Sequence, residues 1–579
     1  MVKKKASSKR KNNAKKKVDI KNKVIQTVEN EVTSSSFKSY YFLIAGIIVI
    51  IFGLIYGFRV LNPTNVNWIF ASTGDISQHY VGWEAFRLGE WTFPIGLTNA
   101  TSYPTNISVI YTDSIPILAL FFKIISFMLP KTFQYLGLYG LLCFILQGIL
   151  SAQIVKKFTT SKLNIIVISI LFTIIPSMIF RMFYHTALAS QWLILLSLET
   201  IFLYDEFKNG KKIYYMWAFI SFLVSTIHLY YLLMCGVILV GYILLDILNT
   251  KKVKKSILLL IIYILVALIS IWLFGGFTNI SKSDNFGFGF GAFSYNLNGL
   301  INSQGWSVFL KELPMLPEQY EGFSYLGLGV IFLIIIAFIL TIVWFIKENN
   351  ELKKYRNLGI SLIAISIISI FIALSPKAYI GEYLLYELKL PSIITDIWEI
   401  FRSTGRFVWP VIHILTLLSV IIILKRLNWK YSLLVLSICT FIQIIDIGST
   451  LSGIHQFYVQ DFVINDENNL YENKYLKEVA LKGEIELLIL VSDDMYDSDK
   501  MLYSDWALNN NIKTNKLHFA RTSFDDILLE NTIRYLEEKD ESQVFVFTTK
   551  AECSRNGLNC YELPNSNYLG YIKELEGVA

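Results

Sequence analysis

A polytopic α-helical membrane protein of about 11 transmembrane helices, followed by an extracytoplasmic α/β domain, is the fold class this sequence predicts. Three observations predict it. The chain has 579 residues, 54% hydrophobic and only 17% charged, and many apolar runs approach the roughly 20 residues that cross a ~30 Å hydrocarbon core. Basic residues recur in short loops two apolar segments apart, the bias of cytoplasmic loops. Beyond residue 447 the long apolar runs stop and strand-like and helical patterns of a soluble domain replace them.

Residues 1–40 hold twelve Lys and Arg and no apolar segment. They read as a basic, disordered cytoplasmic tail rather than a cleavable signal peptide. Apolar segments follow at 41–60, 115–129, 133–155, 163–182, 188–207, 213–229, 231–248, 256–275, 324–346, 358–375, 405–424 and 431–447. Basic loops at Lys156–Lys162, Lys208–Lys212, Lys251–Lys255, Lys347–Arg356 and Lys425–Lys430 share the side of the tail only if 115–129 does not cross. That segment is the shortest, begins beside Pro116 and contains Lys123, which fits an interfacial or re-entrant helix. The transmembrane domain is then 41–447, with external loops 61–132, 276–323 and 376–404. The net charge of +7 lies mainly in the tail and cytoplasmic loops, so it sets orientation and touches membrane lipid; no nucleic acid is expected as a partner.

Region 448–579 contains strand-like runs at Ile485–Val491 and Val544–Phe547 and a helical run from Asp525 to Lys539. It predicts a small extracytoplasmic α/β domain. Cys553 and Cys560 sit close together in its polar part, a spacing that permits a disulfide outside the cytoplasm, whereas Cys143, Cys235 and Cys439 lie in apolar runs as core residues.

Polar residues beside an apolar bundle mark where something polar is handled. The first is Asp75, in Gly74-Asp75-Ile76-Ser77-Gln78-His79-Tyr80. Asp75 and His79, at i and i+4, share a helix face, and an apolar stripe of Ile76, Tyr80 and Trp83 lays that helix in the interface. Both are candidate catalytic residues, and Asp75 is equally placed to be the helix N-cap. Asp113 is a second acid ahead of a helix. Arg402 and Arg406, also i and i+4, suit a phosphate, whose oxygens match the guanidinium fork; the simpler role for either is snorkelling. Arg181 and His185 end one apolar segment and His228 another, so that with His79 and His413 a polar cavity in the outer half of the membrane is expected. Glu199 lies within 188–207 with no evident partner. No P-loop, Gly-x-Gly-x-x-Gly before a helix, His-Glu-x-x-His or Gly-x-Ser-x-Gly occurs, so nucleotide-driven chemistry is unsupported.

The arrangement resembles the GT-C superfamily of membrane glycosyltransferases. Gly74-Asp75-x-x-Gln78-His79-Tyr80-x-Gly82-Trp83, Tyr111-Thr112-Asp113-Ser114-Ile115-Pro116, Glu321-Gly322-Phe323-x-Tyr325-Leu326-Gly327-Leu328-Gly329 and Phe401-Arg402-Ser403-x-Gly405-Arg406-Phe407-x-Trp409-Pro410 look like a bacterial subfamily of unknown substrate. The resemblance covers most of 40–450. It implies a polyprenyl-phosphate-linked sugar donor in the plasma membrane and a glycan or glycolipid acceptor outside the cytoplasm. Asp75 would be the base toward the acceptor hydroxyl. Arg402 and Arg406 would hold the lipid phosphate, with Asp113, Arg181, His185 and Glu321 completing the substrate-binding set. No Asp-x-Asp stands in the first loop, so whether a divalent metal is a cofactor stays open. A transporter or flippase of lipid-linked sugars, which broken helices and a midplane acid such as Glu199 would favour, and a non-catalytic membrane scaffold are the alternatives.

The topology is directly testable. A reporter fused after residue 579 is expected to score as extracytoplasmic, and a cytoplasmic score would overturn the assignment of the five basic loops.

Overall fold

The computed structural model describes residues 40–72, 75–279, 289–462, 469–517, 519 and 525–578. The tail 1–39, Gly74, Gly287 and Phe288 lie outside the described residues. Among the described residues, seven helices are long and apolar enough to cross a membrane: Leu136–Val155, Leu229–Thr250, Val253–Leu273, Leu328–Lys347, Lys353–Leu374, Thr404–Arg426 and Trp429–Asp446. Four shorter apolar helices, Tyr40–Tyr56, Lys162–Thr173, Thr186–Phe202 and Lys212–Ile227, occupy other predicted segments. Burial separates the seven. Only 28% of the apolar window is buried in Val253–Leu273 and in Leu328–Lys347, against 78% in Thr404–Arg426. The first two thus present Ile257, Leu265, Ile269, Phe338 and Ile339 outward; apolar surface so extensive needs lipid to cover it. The third is the centre of the bundle.

Short helices have local causes. The run 163–182 breaks at Ile174 and Ile175, ahead of Pro176, which starts a new helix Pro176–Arg181; proline can open a helix but not continue one. Pro116–Ile124 has nine residues, about 14 Å at 1.5 Å per residue, less than half the hydrocarbon core. Its Lys123 is buried and donates to the carbonyls of Gly89 and Glu90 at 2.9 and 3.2 Å, with its ammonium 4.3 Å over the Phe86 ring.

The helix Ile76–Leu88 is buried on nearly every side, from Ile76 and Gln78 through Phe86. The expected amphipathic helix lying in the interface is therefore not what forms. The rest of the loop 61–132 covers it, and Gly82 makes this possible: a Cβ there would come within 2.3 Å of Thr112. The turn Val109–Thr112 can then pack on the helix. Ser114 locks the turn, its hydroxyl donating to the His79 carbonyl at 2.6 Å.

The C-terminal domain carries a five-stranded sheet in the order Lys513–Thr514, Leu487–Leu490, Gln543–Phe547, Tyr568–Tyr571, Asn559–Glu562. The first three strands are parallel, with Leu488 opposite both Thr514 and Val544, and the last two are antiparallel. Strands buried on both faces read as unbroken apolar runs, as Leu487–Leu490 does. The predicted helical run is Asp525–Glu538. A disulfide joins Cys553 to Cys560, with Cα atoms 6.1 Å apart. Helix Gly448–Val459 sets the Tyr458 ring 5.6 Å from Tyr56 and 5.4 Å from Phe183, packed on the bundle ahead of the sheet domain. It docks on the first loop, where Thr514 N–H donates to the Ala100 carbonyl at 2.8 Å and Tyr103 N–H to that of Thr514 at 2.9 Å.

Candidate functional site

Asp75 occupies the N-cap position of the Ile76–Leu88 helix, yet its side chain makes no capping bond. Its Oδ2 instead lies 3.1 Å from Nδ1 of His185, with 42% of the Asp75 side chain exposed. The other ring nitrogen of His185, Nε2, faces Glu321 Oε1 at 3.8 Å. Burial opposes a charge on His185, but its bonds to Asp75 and Glu321 outweigh that and raise its pKa above 6.5. A ring flanked by two carboxylates is best satisfied as imidazolium, with both nitrogens donating.

Glu321 is the buried anion around which this side is built. Arg181 Nη2 donates to the Glu321 carboxylate and to the Glu321 backbone carbonyl, both at 2.7 Å. Arg406 donates to the same Oε2 through Nε at 2.9 Å and Nη2 at 2.6 Å. Burial would push the Glu321 pKa up, but Arg181, Arg406 and His185 together hold it well below 4.5. Two glycines bring the partners together. Glu321 ends the turn Pro317–Gly322 and Arg406 lies in the turn Thr404–Val408; a Cβ on Gly405 would sit 2.6 Å from the Gly322 Cα.

Across from Asp75 stands Asp113, in the left-handed region at φ 53°. His228 Nε2 faces its Oδ1 at 3.6 Å. The backbone N–H of Tyr230 donates to His228 Nδ1 at 3.2 Å, so a neutral His228 carries its hydrogen on Nε2, toward Asp113. Asp75, Asp113, His185, His228, Arg402 and Arg406 all line one cleft of about 80 Å³, with Ile110, Pro116, Leu188 and Leu229 as its apolar wall. The two arginines differ within it. Arg406 spends two donors on Glu321 and stacks 4.9 Å over the Tyr230 ring. Among the described residues, Arg402 makes no hydrogen bond or ion pair.

Of the eight predicted site residues, five line this cleft and Arg181 and Glu321 stand directly behind it. His79 does not join them. It is buried, its ring nitrogens have no partner among the described residues, and burial lowers its pKa to about 3. On a helix enclosed from every direction, the fourth residue turns inward rather than beside Asp75. The i, i+4 reading also fails for the arginines, because the chain leaves helical geometry at Ser403 (φ −89°, ψ 67°); a turn, not a helix face, aims both at the cleft. Glu199 is outside it and accepts a 2.7 Å hydrogen bond from Gln153. Tyr230 escaped sequence reading: it is one of 33 tyrosines, and only the fold brings its ring under Arg406. Among the described residues no three His, Cys, Asp or Glu side chains are grouped so as to hold a metal ion.

Removing the central anion strands two guanidinium groups. Glu321→Gln is expected to destabilise the chain by roughly 3–5 kcal/mol, the cost of breaking a buried ion pair. Because the Glu321 pKa is depressed, its contribution is present above 4.5 and is lost only as pH falls through the depressed value. Thermal unfolding in detergent should show a large loss at neutral pH that shrinks in strong acid; a variant as stable as the native chain would refute this.

Residues 44–448 match the family described as a domain of unknown function, DUF6311. No curated protein matches the chain. Among solved structures it is similar to the apo oligosaccharyltransferase of Archaeoglobus fulgidus, at 12% identity and a TM-score of 0.42, over 88% of this chain and 70% of that one. At that score the likeness carries no argument about mechanism. The family match spans most of the bundle and every residue of the cleft, and the chain belongs to the DUF6311 family.

Proposed function

We propose that this protein is a membrane glycosyltransferase that moves a sugar from a polyprenyl-phosphate-type lipid carrier to a glycan or glycolipid acceptor outside the cytoplasm. The observation that carries the reading is the pairing, in one cleft, of a partly exposed carboxylate with an arginine not committed elsewhere. In this reading eleven helices span the plasma membrane, the tail is cytoplasmic and the sheet domain is external. His185 holds the Asp75 carboxylate at the cleft, where it takes the proton of the acceptor hydroxyl as that oxygen attacks the sugar. Arg402 holds the carrier phosphate, whose negative charge grows as the glycosidic bond breaks. Arg406, tied to Glu321, keeps a positive field behind it. Apolar walls beside the polar groups suit a donor whose tail stays in lipid while its sugar stays in water.

Asp75 makes no capping bond, so Asp75→Asn removes a base without unsettling the helix. It is expected to leave unfolding temperature unchanged and to reduce sugar transfer from polyprenyl-phosphate-linked donors in membranes by at least about 100-fold, the scale of a lost general base. Arg402→Lys keeps the charge but loses the fork, and should raise the KM for donor more than it lowers kcat. Wild-type transfer by the Asp75→Asn variant would overturn the assignment.

A further inference from the structure

The helix Ile76–Leu88 carries Asp75 at one end. Near the other it meets the external domain through two acids rather than an ion pair. Glu84, on that helix, and Asp505, on Asp497–Asn509, are both buried where the two helices pack, carboxyl beside carboxyl, and Glu84 Oε2 has no donor among the described residues. Two ionised carboxylates buried side by side repel each other, so this contact favours a proton on one of them. Their donors are neutral: the Tyr80 hydroxyl to Glu84 Oε1 at 3.0 Å, the Tyr471 hydroxyl to Asp505 Oδ2 at 2.8 Å and Asn509 Nδ2 to Asp505 Oδ1 at 3.3 Å.

Cations are near but engaged elsewhere or at a remove. Arg87 donates to Ser126 Oγ and to the carbonyls of Leu129, Pro130 and Lys131. Lys131 faces the pair across a cavity of about 370 Å³ that Tyr80, Tyr471 and Asp505 also line. Among the described residues neither acid forms an ion pair. The pattern matches two carboxyl groups sharing one site, of which one stays protonated.

We propose that Glu84 and Asp505 hold a single proton between them, and that this shared-proton contact is a pH-sensitive clamp positioning the Asp75-bearing helix against the external domain. Loss of the proton leaves two like charges buried side by side, which the junction relieves by opening. Burial raises both acids above their ordinary values of 4.5 and 3.8. An acid raised in this way stabilises docking at low pH, and that contribution fades as pH rises through the raised value. Nine residues of one helix separate Glu84 from Asp75, about 13 Å along a rigid rod, so movement at the clamp reaches the cleft. Glu84 and Asp505 are thus positioning residues. Only the consequence for Asp75 rests on the proposed activity; the clamp itself does not.

Hydrogen exchange on the full chain in lipid nanodiscs, corrected for intrinsic rates and run from about pH 5 to pH 9, tests it. Protection of Ile76–Leu88 and Asp497–Asn509 should fall by about tenfold toward the alkaline end in the native chain. Glu84→Gln supplies a permanent donor to Asp505 and should keep its protection across the range. Asp505→Asn should do the same from the other side. Glu84→Ala should be poorly protected throughout. The clamp is overturned if Glu84→Gln follows the native pH slope, or if it loses protection at every pH while Glu84→Ala does not. Neither outcome depends on sugar transfer, so a failure at Asp75 and a failure at the clamp read out separately.

Discussion

Everything around the cleft depends on burying one carboxylate. Glu321 is enclosed by Arg181, Arg406 and His185, and each comes from a different part of the chain: the end of a short helix, the loop after it and a turn that opens the central helix. A buried charge is costly unless fully paired, and the pairing rarely repays more than that cost. What it supplies here is registry. Arg181 and Arg406 can satisfy Glu321 only if the turns Pro317–Gly322 and Thr404–Val408 touch, and Gly322 and Gly405 allow that contact. His185 then transmits the position of this charged knot to Asp75. The exposed acid is thereby aimed by an acid that never meets solvent.

Backbone strain marks the opposite wall. Asp113 and Ile115 both adopt φ 53°. For aspartate this is tolerable, but for a β-branched residue it costs of order 1–3 kcal/mol. The surrounding structure enforces it: Ile115 is fully buried, Ser114 is bonded to His79 and Thr112, and the Tyr135 hydroxyl donates to the Ser114 carbonyl. The strain places Asp113 opposite His228 at the entry to Leu229–Thr250.

The bundle was largely legible in the sequence because membrane helices announce themselves by length and composition, and the sheet domain because its strands are short apolar runs between polar turns. The motifs around Asp75, Asp113, Glu321 and Arg402 were legible too, as clusters of charge and glycine where neither belongs in plain apolar packing. The faces were not. Helical spacing located His79 beside Asp75 and aligned Arg402 with Arg406, but such reasoning presumes a helix with an inside and an outside. The Ile76–Leu88 helix is buried on nearly every side, because loop and sheet domain pack around it, and Ser403 interrupts the other. Tertiary enclosure has no local signature. For the same reason Glu84 and Asp505, 421 positions apart in the chain, gave no sign of meeting.

The short helix Pro116–Ile124 is stapled at Lys123 to the carbonyls that follow the Ile76–Leu88 helix. Phe121 and Ile124 on this helix, with Phe127 and Met128 of the turn that follows it, are exposed, a greasy edge suited to the boundary between headgroups and acyl chains. Lys123 ties any displacement of this edge to the backbone at Gly89 and Glu90. One buried ammonium thus couples the short helix mechanically to the helix that carries Asp75.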